Sequence, residues 1–120
     1  MARILVADDS MTDLKFVHSV LDGLGHELLS AMDGEDAEKK ARTEKVDLVI
    51  LDVVMPKKNG FQVCRSLKTD DATKSIPIIL LTSKGQDSDK FWGEKQGADH
   101  YLVKPCAPKD LLDAVRRYLK

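Results

Sequence analysis

The chain has 120 residues, 42% apolar and 32% charged, with 19 basic and 20 acidic side chains and a formal net charge of −1. That composition supports one domain with a packed core and excludes a disordered chain. The balanced charge excludes a general attraction to nucleic acid or anionic lipid. No apolar run approaches the roughly 20 residues that span a bilayer, and the start MARILVADDS lacks the layout of a signal peptide. Cys64 and Cys106 show no Cys-x-x-Cys spacing, so a reducing, cytoplasmic compartment is expected, for a monomer without membrane insertion or a nucleic-acid ligand.

Arg3 to Ala7 is a short apolar run that predicts a strand. Leu14, Val17, Leu21 and Leu24 recur at helical spacing from Met11 onward, and Gly25 is placed to end that helix. Glu27 to Ala31 is a weaker strand, and Asp33 is a candidate cap for a helix from Gly34 to Thr43. Val46 to Leu51 is the most apolar strand. Residues 59 to 68 read as a helix with Phe61, Val63, Cys64 and Leu67 inward. Pro77 opens a strand from Ile78 to Leu81, residues 87 to 96 form a weaker helix containing Gly93, and His100 to Val103 is a short strand. Pro108 suits the first turn of a last helix whose inward face carries Leu111, Leu112, Val115 and Leu119. Arg116, Arg117 and Lys120 fall near its C-terminus, where the macrodipole favours cations.

Five alternations of strand and helix, with near-continuous apolar strands, predict an α/β fold with helices on both faces of a parallel sheet. Crossovers in such sheets are right-handed, and ligands bind outside the carboxyl ends of the strands. The residues just after the strands therefore matter. They are Asp8 and Asp9, then Ala31 and Met32, Asp52, Thr82 and Ser83, and Lys104 and Pro105. One such aspartate alone is most often a turn residue or a helix cap. Four strand ends carrying Asp-Asp, Asp, Thr and Lys converge on one rim. If the first and third strands are neighbours, three carboxylates share a pocket and repel unless a cation compensates. Oxygen-only donors of that kind suit Mg²⁺. With the Lys104 ammonium and the Thr82 hydroxyl, the set has the parts needed to receive a phosphoryl group.

Asp8-Asp9, Asp52-Val-Val-Met-Pro56 through Gly60, Thr82-Ser83 and Lys104-Pro105 together resemble the response-regulator receiver domains of the chemotaxis CheY type, over the whole chain. A narrower resemblance is to the PilH-type receivers of type IV pilus twitching systems. Asp89-Lys-Phe-Trp-Gly93, Lys95-Gln-Gly-Ala98 and Tyr101-Leu-Val-Lys-Pro105 carry it. The resemblance implies one receiver domain over residues 1–120 with a flavodoxin-like, doubly wound (βα)5 architecture and sheet order 2-1-3-4-5. It implies that Asp52 is the phosphoacceptor. It also implies that Asp8, Asp9, Asp52 and the backbone carbonyl of Val54 hold Mg²⁺, for which Mn²⁺ can substitute. Thr82 and Lys104 would contact the phosphoryl oxygens, and Tyr101 would move inward when Thr82 shifts. The Lys104–Pro105 peptide would be cis, and Gly60 would permit a tight turn. The implied partners are a CheA-like histidine kinase as phosphodonor and a protein output target. The target's surface is helix four, strand five and helix five, roughly residues 87 to 119. On this view the apolar strand before Asp52 is a rigid platform for one carboxylate, and Pro56 and Gly60 shape the loop that leaves the pocket open.

Some positions depart from the family or stand outside its motifs. Val54, two past Asp52, is apolar, and Lys84, two past Thr82, is basic; neither offers a carboxylate or amide to orient a hydrolytic water. A slow-to-moderate loss of phosphate is expected. Ser83 stands where many receivers carry alanine, with a small expected effect. Cys106 reads as a packing thiol rather than a redox sensor. Adjacent Phe91 and Trp92 cannot share one helix face, so one is expected in the core and the other partly exposed as a partner anchor. Gly93 weakens its helix by about 1 kcal/mol relative to alanine. His18, His26 and His100 lack metal-ligand spacing, and Asp70-Asp71 reads as solvated loop charge. The chain ends just after its last helix, so a stand-alone switch acting through protein contacts is expected, catalysing only its own phosphorylation and dephosphorylation. A phosphate sink for a shared kinase would use the same chemistry. A haloacid-dehalogenase-type phosphatase needs an Asp-x-Asp pair, whereas Asp8 and Asp9 are adjacent. A phosphorylation-independent adaptor would not need every motif position filled.

Overall fold

The computed structural model describes residues 1–119. In chain order the elements are β1 (Arg3–Ala7), α1 (Met11–Leu21), β2 (Glu27–Ala31), α2 (Gly34–Thr43), β3 (Leu48–Leu51), α3 (Gly60–Lys68), β4 (Ile78–Thr82), α4 (Asp87–Lys95), β5 (His100–Val103) and α5 (Pro108–Tyr118). The five strands are parallel, in the order β2-β1-β3-β4-β5. This is the doubly wound, flavodoxin-like sheet that the resemblance implied.

The strands read as continuous apolar runs because both faces of the sheet are covered. Side chains alternate between faces along each strand. Ile4, Val6, Leu48, Ile50, Ile79 and Leu81 face Leu14, Val17 and Leu21 of α1 and Leu111, Ala114 and Val115 of α5. Leu5, Ala7, Val49, Leu51, Ile78 and Leu80 face Ala37 and Ala41 of α2 and Val63, Cys64 and Leu67 of α3. The register sets Ala7 opposite Leu51, so β1 and β3 end side by side and Asp8 and Asp52 follow together.

Local chemistry sets the helix ends. Ser10 caps α1 by accepting from the Asp13 N–H at 3.2 Å, and Asp33 caps α2 by accepting from the Asp36 N–H at 2.8 Å. Asn59 and Gln62 form a reciprocal capping box at α3. α1 stops at Leu21 rather than near Leu24, because Gly23 and Gly25 adopt positive φ values of 88° and 81° and turn the chain first. β3 begins at Leu48, two residues later than expected, although Val46 is buried.

The expectation for Phe91 and Trp92 is corrected: both are exposed, at 58% and 52%. The inward position of α4 belongs to Gly93, its one buried residue, and successive helical positions are rotated by about 100°. The space a side chain would fill at Gly93 is occupied by the Tyr101 ring. Asp70 and Asp71 lie in an exposed loop as expected and are paired there, Asp70 with Arg42 and the Ala72 N–H at 2.9 Å and Asp71 with Lys74 at 2.9 Å. Arg116 and Arg117 lie in the last turn of α5, and Lys120 lies outside the described residues. No described helix is long and apolar enough to cross a membrane.

Candidate functional site

The site lies on the rim where β1, β3 and β5 end. Asp8 and Asp52 are 4% and 7% exposed, and Asp9 beside them is exposed. Each of the three offers a carboxylate oxygen within 4.8 Å of the others. Asp8 Oδ1 accepts from the Ser10 N–H at 2.9 Å. Asp52 Oδ1 accepts from the N–H groups of Val53 and Val54 at 2.6 and 3.3 Å, so its carboxylate is oriented by its own loop. The Val54 side chain itself is exposed.

That loop is fixed by Gly60, whose N–H donates to the Val53 carbonyl at 2.8 Å. A Cβ at Gly60 would lie 2.1 Å from the Asp52 carbonyl oxygen. Glycine is thus required by close backbone approach, and the left-handed residue of the loop is Lys57, at φ 72°.

Lys104 follows β5, with a cis peptide to Pro105. Its Nζ donates to Asp8 Oδ2 at 2.6 Å, Asp13 Oδ2 at 2.9 Å and Asp52 Oδ2 at 3.1 Å. Burial lowers the Lys104 pKa, but hydrogen bonds to Asp8 and Asp13 and the charge of Asp52 outweigh it and hold the group firmly as an ammonium. Asp8 carries the opposite tension. Burial pushes its carboxyl up further than Lys104 and the Ser10 N–H pull it down, and Asp52 adds repulsion. Asp8, Asp9, Asp13 and Asp52 face a single ammonium, so the rim carries uncompensated negative charge. Three converging carboxylate oxygens fit a hard divalent cation such as Mg²⁺.

Thr82 ends β4, is fully buried, and accepts from the Lys84 N–H at 3.4 Å. The Tyr101 hydroxyl donates to the Lys84 carbonyl at 2.6 Å. The backbone of Lys84 therefore bridges Thr82 and Tyr101. Burial and the charges of Asp89 and Asp52 push the Tyr101 phenol up to about 12. Cys106 is half-buried, and burial with the nearby Asp110 raises its pKa.

Asp13 was missed in the sequence. The signal was Ser10-x-x-Asp13, a helix start that sets an acidic residue on the first turn of α1, directly after the Asp8-Asp9 rim.

In sequence and fold the chain is similar to known proteins. The model of the response regulator receiver domain matches residues 4–116. Protein PilH of Pseudomonas aeruginosa is 45% identical over 119 residues, covering 99% of this chain and 98% of PilH. The transcriptional regulatory protein PhoP of Bacillus subtilis, named for alkaline phosphatase synthesis, is 39% identical over 98% of this chain. The chain spans only 48% of that regulator's length. The crystal structure of the chemotaxis response regulator CheY4 of Vibrio cholerae superposes with a TM-score of 0.91 at 35% identity, covering 99% of both chains.

Proposed function

The chain belongs to the response regulator receiver domain family, and from that membership we propose that it is a phosphorylation switch with Asp52 as phosphoacceptor. The proposed unit is one receiver domain over residues 1–120, acting in the cytoplasm. The observation that carries the reading is the approach of Lys104 Nζ to Asp52 Oδ2 at 3.1 Å, beside three carboxylates within 4.8 Å of one another.

In the proposed reaction an Asp52 carboxylate oxygen attacks the phosphorus of a phosphohistidine on a CheA-like kinase. The O–P bond forms as the N–P bond breaks, and the imidazole leaves with the bonding electron pair. The buried strand β3 and the N–H groups of Val53 and Val54 hold the nucleophile in one orientation. Lys104 and Thr82 would donate to the transferred oxygens. Asp8, Asp9, Asp52 and the Val54 carbonyl would hold Mg²⁺, or Mn²⁺ in its place. When bound, that cation would offset the carboxylate charge and the charge on the phosphoryl oxygens.

Phosphorylation adds charge next to Thr82, and the Lys84 backbone links Thr82 to Tyr101. Through that link the change would reach the surface formed by α4, β5 and α5, which we propose binds a protein target. Similarity to PilH favours a role in twitching motility or chemotaxis. Pull-downs with and without beryllofluoride, scored for pilus-motor against flagellar-switch proteins, separate the two.

The chemistry is tested with Mg²⁺ and acetyl phosphate, followed by intact-mass spectrometry. The expected result is one acid-stable, base-labile phosphoryl adduct on the wild type and none on Asp52→Asn. Unchanged labelling of the variant moves the acceptor elsewhere.

A further inference from the structure

A lysine ammonium has three N–H donors, and at Lys104 three carboxylates take them: Asp8, Asp13 and Asp52. Asp8 and Asp52 belong to the cluster at the strand ends. Asp13 does not: it stands on the first turn of α1, its side chain is 41% exposed, and it is not among the three carboxylates that converge within 4.8 Å. Resting on the receiver reading above, we propose that Asp13 is a positioning residue that restrains Lys104 in the unphosphorylated state. It thereby sets how readily Asp52 is phosphorylated.

The reason lies in which bond can be released. Once Asp52 carries a phosphoryl group, the charge that Lys104 serves moves outward onto the phosphoryl oxygens. The donor aimed at Asp52 can pass to a phosphoryl oxygen, but following the charge outward draws Lys104 away from Asp8 or from Asp13. Asp8 is the costly one to abandon. It is 4% exposed and its Oδ2 is bonded at 2.6 Å to Lys104, so water has little access to replace that hydrogen bond. Asp13 is the cheap one, because water can replace Lys104 there. The Asp13–Lys104 pair is therefore the contact that breaks, and its strength is subtracted from the drive toward the phosphorylated state. Nor is Asp13 needed to aim the ammonium at Asp52, since Asp8 anchors it at a shorter distance.

The experiment compares wild type, Asp13→Asn, Asp13→Glu and Lys104→Met, and the double variant Asp13→Asn/Lys104→Met. The rate of Asp52 labelling by acetyl phosphate is measured at saturating Mg²⁺. Asp13→Asn is expected to label roughly two- to fivefold faster, the range set by a partly exposed ion pair, and Asp13→Glu to return toward the wild-type rate. Asp13→Asn should give no acceleration on the Lys104→Met background, because its effect passes through Lys104. In the metal-free protein, ¹⁵N spectra of the lysine side chains should show faster exchange of the Lys104 ammonium protons with water in Asp13→Asn. An Asp13→Asn rate equal to or below wild type overturns the inference. So does an acceleration that persists undiminished without Lys104, which would make Asp13 a simple repeller of the anionic donor. Wild-type labelling of Asp52 with no effect of Asp13→Asn removes this inference alone. Absence of labelling on wild-type Asp52 removes the receiver reading and the inference with it.

Discussion

Asp8 is 4% exposed, and burial raises its carboxyl pKa from its ordinary value in spite of the Lys104 ammonium at 2.6 Å. A carboxyl with a higher pKa folded than unfolded binds more protons in the folded state across that interval. Stability therefore falls as pH rises through it, and in metal-free protein the ionised Asp8 is a net cost at neutral pH. Lys104 has the same sign of slope in a higher interval: its pKa is also raised, so its contribution is complete below the ordinary lysine value and is lost only as pH rises above it. Asp8→Asn is expected to stabilise the protein in EDTA at pH 7 by about 1 kcal/mol, a usual size for a single site. The gain should shrink as pH falls into the carboxylate range, and urea denaturation across pH reads it. Destabilisation by Asp8→Asn would mean that pairing with Lys104 outweighs burial. A second residue-scale expectation concerns Val54 and Lys84, both exposed and neither able to orient a hydrolytic water. The isolated phosphoprotein should lose phosphate slowly, over minutes or longer, and Lys84→Asn should shorten that lifetime several-fold. A wild-type lifetime of a few seconds, followed by mass spectrometry, would contradict this.

At the scale of elements, α4 departs furthest from what its sequence suggests. Glycine inside a helix costs about 1 kcal/mol against alanine, so Gly93→Ala ought to help. Here the new Cβ would lie 2.9 Å from Tyr101 Cδ2 and 3.1 Å from Leu80 Cδ1. Overpacking of that kind outweighs the propensity gain, and Gly93→Ala is expected to destabilise the protein by about 1 kcal/mol. On a Tyr101→Ala background the same substitution should become stabilising, because the ring that fills the space is gone. Denaturation of the four proteins forms a double-mutant cycle, and additive effects would show that Tyr101 and α4 are not coupled there. The other helices follow their sequence closely. Asp33 and the stretch 34–43 give α2 with the expected ends, since polar caps and apolar spacing act locally.

For the molecule as a whole, the proposed switch must carry a signal from the acidic rim to α4. Thr82, the Lys84 backbone, Tyr101 and Gly93 form a continuous set of contacts along that route. Trp92 is the only tryptophan of the chain, adjoins Gly93 and is 52% exposed, so its emission reports on α4. Beryllofluoride with Mg²⁺ is expected to change Trp92 fluorescence in the wild type, to leave Asp52→Asn unchanged, and to give a smaller response in Tyr101→Ala. Constant emission in wild-type protein that demonstrably binds beryllofluoride would show that the change does not reach α4.

Sequence alone determined the alternation of five strands and five helices, the two-sided burial of the sheet and the set Asp8, Asp9, Asp52, Thr82 and Lys104 at the strand ends. Periodicity and turn chemistry are local, and strand termini in a parallel sheet share one edge by geometry. Only the tertiary structure decided that Asp13 joins Lys104, that Gly60 makes room for the Asp52 carbonyl, and that Gly93, not Phe91 or Trp92, faces inward. Each of these depends on side chains from segments distant in sequence, whose mutual distances appear only when the sheet has brought them together.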